Sequence, residues 1–156
     1  MISSIGAESQ RIHSDTTYQP TCPLYTVFIA IQDIIEELGP TIFIKGTNTS
    51  IAHNELRHKR NNFLNNSIYH QALLTVGDCV IMDSRNLHCG GENLKGNRCL
   101  MYFTVLNPSF TDMGGKTPTL LHFIVTNTTI TTTTIIIILP HTLRWIETSK
   151  CESDTS

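Results

Sequence analysis

The stretch Leu74–Gly91, LTVGDCVIMDSRNLHCGG, decides the fold. The apolar runs in it and at its start, Ala72–Val76, Val80–Asp83 and Leu87–Gly90, are each only four or five residues long. That is too short for a stable helix and right for strands. Gly77-Asp78 is a tight-turn signal between the first two runs. Outward from this stretch the pattern repeats. Arg98–Leu106 (RCLMYFTVL) reads as a strand on the C-terminal side, and Leu24–Ile31 (LYTVFIAI) and Thr41–Ile44 (TIFI) read as strands on the N-terminal side. Asp33–Leu38 is predicted to be a turn, closed by Gly39-Pro40. Lys45–Tyr69 is polar, with a basic patch at Arg57-His58-Lys59-Arg60, and is predicted to be a long surface loop with at most one helical turn. Many short strands separated by turns predict a mainly all-β sandwich or barrel of the jelly-roll kind.

The 156 residues are enough for one domain with a core. Eleven Lys+Arg stand against thirteen Asp+Glu, a net charge of −2, which speaks against charge-driven binding to nucleic acid or an anionic membrane. The basic patch reads as a solvated surface. Five widely spaced cysteines, with no CxxC, predict reduced thiols rather than a disulfide framework or zinc knuckle. The N-terminal text has no secretory pattern and the C-terminus no peroxisomal or retention signal, so an intracellular, cytoplasmic location is expected. After a Gly/Pro turn region at 109–118 the composition changes. Residues 119–139 lack formal charge, but seven of the thirteen residues 126–138 are Thr, so a membrane span is not expected. Residues 109–156 are expected to form an irregular, low-complexity Thr/Ile-rich tail on a core spanning 6–108.

The chemistry concentrates in four residues. His13-Ser14-Asp15 is an H-x-D triplet, and on an extended chain residues i and i+2 share a face. His13 and Asp15 can then offer an imidazole and a carboxylate to one metal ion. His88 supplies a third ligand, and Gly90-Gly91 behind it permit close backbone approach to a bound molecule. Two histidines and one carboxylate on one face leave three coordination positions open, which suits non-haem Fe(II). Arg98, ten residues on, is suited to a bidentate grip on a carboxylate. His53, His58, His70, His122 and His141 match no motif and read as non-ligands.

The order H-x-D, a long gap, His, and then Arg resembles the Fe(II)/2-oxoglutarate-dependent oxygenases. The local text is most similar to the phytanoyl-CoA dioxygenase family. Gln10–Thr16 (QRIHSDT) resembles its Q-x-x-H-x-D-T segment. Thr26–Thr47 is similar to its strand, turn, G-P-T, strand and P-G-T-H region, and Leu74–Asn93 to its G-D-x-x-x-x-D-x-x-x-x-H-x-G-x-x-N block. The resemblance implies a double-stranded β-helix, or cupin-like, core. It implies Fe(II) bound by His13, Asp15 and His88, with 2-oxoglutarate as cosubstrate on Arg98 and Gln10 facing it. It implies oxidative decarboxylation to succinate and CO2, coupled to hydroxylation of a small organic molecule by O2. Retention of Asp15 speaks against the halogenating relatives. Asp83 is expected either to orient a ligand or simply to end its strand, and Thr16 and Thr47 to be turn residues.

The chain departs from the family in places. Twelve residues precede His13 where relatives carry helices and strands, so the resemblance implies an N-terminally truncated core with a sheet edge left unpaired. Lys45 stands at the pattern's Pro and Asn48 at its His. Two other readings follow from these residues. One is an inactive fragment or binding module of the same family. The other is a cupin-like protein using the three ligands for another metal, such as zinc.

Overall fold

The computed structural model describes residues 1–107, 136–139 and 142–145. Its elements in chain order are strand β1 (Ile2–Ser3), β2 (Leu24–Ala30), a 3-10 turn (Glu36–Leu38), β3 (Thr41–Ile44), helices α1 (Ser50–His58) and α2 (Arg60–Asn65), β4 (Tyr69–Gln71), β5 (Cys79–Asp83), β6 (His88–Gly90), β7 (Arg98–Leu106), β8 (Ile136–Leu139) and β9 (Thr142–Trp145). The strands form two antiparallel sheets. The larger runs β1-β7-β2-β5-β8-β9 and the smaller β4-β3-β6.

β2 is the spine. All seven of its residues pair with β7, from Leu24↔Leu106 to Ala30↔Leu100, and five pair with β5. Its β-branched and aromatic sequence suits a strand buried on both faces, and Val27, Phe28 and Ala30 are all buried. Phe28, Ala30, Val80, Met82 and Leu100 of the larger sheet meet Phe43 of the smaller one, with Ile34, Ala72 and Leu74 from the connections. This is the two-layer, cupin-like sandwich expected from the sequence.

Two glycines fix the smaller sheet against its flanking loops. Gly39 has φ +66°, and a Cβ there would collide with the backbone carbonyls of Gly91 and Glu92. Gly91 N–H donates to the Pro40 carbonyl at 3.0 Å. The turn entering β3 therefore lies directly against the turn leaving β6, an approach open only to residues without a side chain.

Several expectations need correction. The predicted loop Lys45–Tyr69 contains α1 and α2. α1 is capped by the Thr49 hydroxyl, which accepts from Ala52 N–H at 3.2 Å. Neither helix was visible in the hydrophobic pattern because they bury almost nothing: of the two, only Ala52 is buried. Ala72–Val76 is not a strand. Ala72 and Leu74 are buried while Leu73 and Thr75 are exposed, so burial alternates as far as Thr75 and stops at the exposed Val76. However, it forms no ladder: Ala72 N–H donates to the Thr41 carbonyl at 2.9 Å, and Leu74 sits in an isolated bridge with Ile34. A sheet edge is expected to be left unpaired; the edge of β7 carries β1 at Arg98 and Cys99, and the Met1 amino group donates to the Leu100 carbonyl at 2.8 Å. Within the stretch expected to be an irregular tail, β8 pairs with the outer edge of β5 and β9 with β8. The remainder of that stretch, with most of 119–139, His122, His141 and Cys151, lies outside the described residues. No helix among the described residues is long and apolar enough to cross a membrane. Cys22, Cys79, Cys89 and Cys99 are free thiols.

Candidate metal centre

The segment before β2 runs antiparallel to β6 and its preceding loop. His13 and His88 exchange backbone hydrogen bonds of 2.9 and 2.8 Å, and Asp15 N–H donates to the Ser84 carbonyl at 2.9 Å. The Thr16 and Ser84 hydroxyls bond to each other at 2.9 Å. Residues 13–16 are thus fastened along 84–88. As the H-x-D spacing requires, His13 and Asp15 emerge on one side, beside His88. The two imidazole rings lie 4.5 Å apart, and one ligand atom from each of His13, Asp15 and His88 lies within 4.8 Å of the other two. His88 is buried and packs near Phe43, whereas His13 and Asp15 are exposed, so the cluster opens to solvent on one side.

Hydrogen bonding settles the ring tautomers. His13 Nδ1 lies 2.7 Å from the Arg11 carbonyl, and His88 Nδ1 lies 3.0 Å from the Asn86 carbonyl. A carbonyl only accepts, so both Nδ1 atoms carry the proton. In the neutral rings Nε2 is then a bare lone pair. His88 Nε2 lies 3.4 Å from Asp15 Oδ1, and Asp15 Oδ2 accepts the Thr26 hydroxyl at 2.8 Å. Lone-pair nitrogens and a carboxylate oxygen converging on one point repel one another unless a cation stands between them. Burial pushes the Asp15 carboxyl up, but the His88 ring in its protonated form and the Thr26 hydroxyl outweigh it and hold it below the ordinary carboxylate value.

Further along the inner face of β6, Gly90 N–H donates to Gln10 Oε1 at 2.9 Å, and Gln10 N–H to the Gly90 carbonyl at 2.9 Å. A Cβ on Gly90 would lie 3.1 Å from Gln10 Oε1 and 3.5 Å from Arg98 Nη2. Gln10, Gly90 and Arg98 are therefore neighbours. Arg98 is only 5% exposed, and its Nη1 has no hydrogen-bond partner. Among the described residues no carboxylate pairs with it, and burial alone pulls its pKa down. A buried guanidinium without an anion is an unfinished ion pair.

Among the described residues, Asp83 is not part of the three-residue cluster. Its carboxylate takes Arg85 Nη2 at 2.6 Å, Arg85 Nε at 3.0 Å and Asn48 Nδ2 at 3.1 Å. Arg85 Nη1 donates onward to the Gln19 and Pro20 carbonyls at 2.9 and 2.8 Å, and His53 Nε2 donates to the Arg85 carbonyl at 2.7 Å. This network ties the end of β5, the loop leading to His88, the loop following Asp15 and α1 together. The Thr47 hydroxyl accepts from Leu87 N–H at 2.9 Å, so Thr47 is a buried tie rather than a simple turn residue. The sequence reading missed Thr26 and Arg85. Thr26 had one available signal: it is a lone polar residue at an inward position of the apolar strand Leu24–Ala30. His53 and His70 are not part of the cluster. Burial raises the thiols of Cys79 and Cys89 and pushes Cys22 up to about 12, which removes all three as thiolate nucleophiles.

Comparison with known proteins gives the family and the fold. Residues 2–98 match the family model for phytanoyl-CoA dioxygenase. The fold is similar to that of AviO1 from Streptomyces viridochromogenes Tue57, seen in a crystal structure, with a TM-score of 0.58 and 16% sequence identity. The match covers 72% of this chain and 50% of that one, so this chain spans about half the length of AviO1. No curated protein matches the chain in sequence.

Proposed function

This chain belongs to the phytanoyl-CoA dioxygenase family, and from that premise we propose that it is an Fe(II)- and 2-oxoglutarate-dependent dioxygenase that hydroxylates a small organic molecule, with succinate and CO2 as co-products. The observation that carries the proposal is the convergence of His13, Asp15 and His88 on one point, with the unpaired Arg98 guanidinium close by. Two imidazoles and one carboxylate fit Fe(II) and leave adjacent positions free. His88 and Gly90 lie two residues apart on one face of β6, about 7 Å at the usual rise per residue. Arg98 and Gln10 sit beside Gly90, so a five-carbon dicarboxylate can lie along β6 with one end at the three ligands and the other at Arg98.

Bound there, Fe(II) would supply the activation of O2 and the oxidation of the cosubstrate and substrate. The chain's own residues do the positioning. The Arg11 and Asn86 carbonyls hold the two rings with Nε2 turned toward the shared point. Arg98 would pair with the distal carboxylate of 2-oxoglutarate, which removes the penalty of a buried bare cation. Gln10, fixed by Gly90, would border the same carboxylate. The exposed side of His13 and Asp15 gives a small substrate and O2 a route to the centre.

The test is anaerobic reconstitution with Fe(II), followed by 2-oxoglutarate and O2. Succinate formation that requires both Fe(II) and 2-oxoglutarate, and that is lost in His13→Ala and His88→Ala, is the expected result. Turnover unchanged in those variants overturns the assignment. Selective zinc uptake with no 2-oxoglutarate binding does so as well, and indicates a cupin-like protein with different chemistry.

A further inference from the structure

Asp15 has two chemically equivalent oxygens and could bind an ion through one or both. The fold breaks that symmetry. Oδ2 accepts the Thr26 hydroxyl at 2.8 Å, while Oδ1 faces His88 Nε2 at 3.4 Å. Thr26 is fully buried, in an inward position on β2 two residues before the core residue Phe28. Valine has almost the same shape and would suit these surroundings without bringing a hydroxyl into the core. Among the described residues, the only side-chain hydrogen bond of Thr26 goes to Asp15. An ionised carboxylate only accepts, so Thr26 is the donor and its proton occupies Oδ2.

We infer that Thr26 is a positioning residue that makes Asp15 a one-oxygen ligand, holding Oδ2 away from the metal and offering only Oδ1 to it. This rests on the reading of His13, Asp15 and His88 as a metal site. If both oxygens bound, one of the three open positions needed by a two-point cosubstrate and O2 would be filled. With Oδ2 tied to β2, the spine of the larger sheet, that position stays clear. The same bond fixes the carboxylate plane relative to the His88 ring.

The experiment uses the whole chain, apo, titrated anaerobically with Co(II). Affinity is read by competition, coordination by the intensity of the visible absorption, and folding by circular dichroism and thermal melting. Thr26→Val is expected to fold and to bind Co(II) about 10- to 100-fold more weakly. At saturation its spectrum is expected to differ from the parent's, because the second oxygen is free to bind. Thr26→Ser, which keeps the hydroxyl, is expected to restore both affinity and spectrum. In an Asp15→Ala background, Thr26→Val is expected to change Co(II) affinity no further, whereas a purely structural defect would still lower it. If Thr26→Val does not fold, Thr26→Ala carries the same comparison. A folded hydroxyl-less variant with parental affinity and spectrum overturns the inference. A parent chain that takes up no Co(II) instead overturns the metal-site reading on which it rests, so the two failures are distinct.

Discussion

Arg98→Met is predicted to make the free protein more stable and cosubstrate binding worse. Arg98 is 5% exposed, its Nη1 is unpartnered, and burial alone pulls its pKa down. Without an anion the fold carries a desolvated charge that nothing repays. Methionine keeps much of the unbranched stem and removes that charge. Leaving a buried donor unsatisfied costs about 1–3 kcal/mol, and exchanging buried ionic groups for packed apolar ones commonly stabilises by similar amounts. At roughly 2–4 °C per kcal/mol for a chain of this size, the apo variant should melt about 2–12 °C above the parent. Losing one partner of a buried charge pair costs about 2–5 kcal/mol in binding, so affinity for 2-oxoglutarate should fall at least ~30-fold. The assay is thermal melting under anaerobic Fe(II), with and without 2-oxoglutarate. At one hundred times the Kd, the parent should gain about 2.7 kcal/mol from the ligand, and the variant no more than about 0.9 kcal/mol at that concentration. A variant that melts below the parent when free, yet keeps the full ligand-dependent rise, refutes the idea that Arg98 awaits a carboxylate.

Three further predictions concern the supports of the site. Gly90→Ala places a methyl 3.1 Å from Gln10 Oε1 and 3.5 Å from Arg98 Nη2. Crowding of this kind costs about 1–3 kcal/mol, and isothermal titration should show it as weaker 2-oxoglutarate binding, with Co(II) affinity close to the parent's. Gly39→Ala combines a left-handed backbone with collision against the Gly91 and Glu92 carbonyls, and urea unfolding should show a loss of about 2–5 kcal/mol. Asp83→Asn breaks a largely buried pair with Arg85 and should destabilise by about 3–5 kcal/mol. Burial raises the Asp83 carboxyl, but Arg85 and Asn48 hold it below its ordinary 3.8. Its contribution is therefore complete above about pH 4 and is lost as pH falls through the lowered folded value. Acid unfolding followed by circular dichroism should be less steep in Asp83→Asn.

The parts of this molecule legible in the sequence are those that repeat a local rule. β3 and β7 have the bounds their β-branched and aromatic runs predict, and β2 differs by one residue. His13 and Asp15 share a side because an extended chain has a period of two, and the order of motifs brought His88 and Arg98 into view. What stayed hidden depends on partners far away in sequence. α1 and α2 bury too little to leave a periodic stripe. The run Ala72–Val76 alternates in burial as far as Thr75, yet whether it becomes a strand depends on a neighbour that the pattern cannot reveal. From its position in the sequence, Asp83 can equally orient a ligand or end its strand. Its role is set by Arg85, which reaches back to the Gln19 and Pro20 carbonyls. Thr26 acts through Asp15, eleven residues earlier in the chain, and only the folded register brings the two together.

The central claim is that His13, Asp15 and His88 hold Fe(II) while 2-oxoglutarate binds it with its far end on Arg98. Its most direct test is an anaerobic titration of the Fe(II)-loaded chain with 2-oxoglutarate, followed by visible absorption. Chelation of Fe(II) by the keto acid gives a metal-to-ligand charge-transfer band. The account predicts that this band saturates at one equivalent, is absent in His88→Ala, and requires far more 2-oxoglutarate in Arg98→Met. No band from a chain with tightly bound Fe(II), or a band that persists unchanged in His88→Ala, would contradict it.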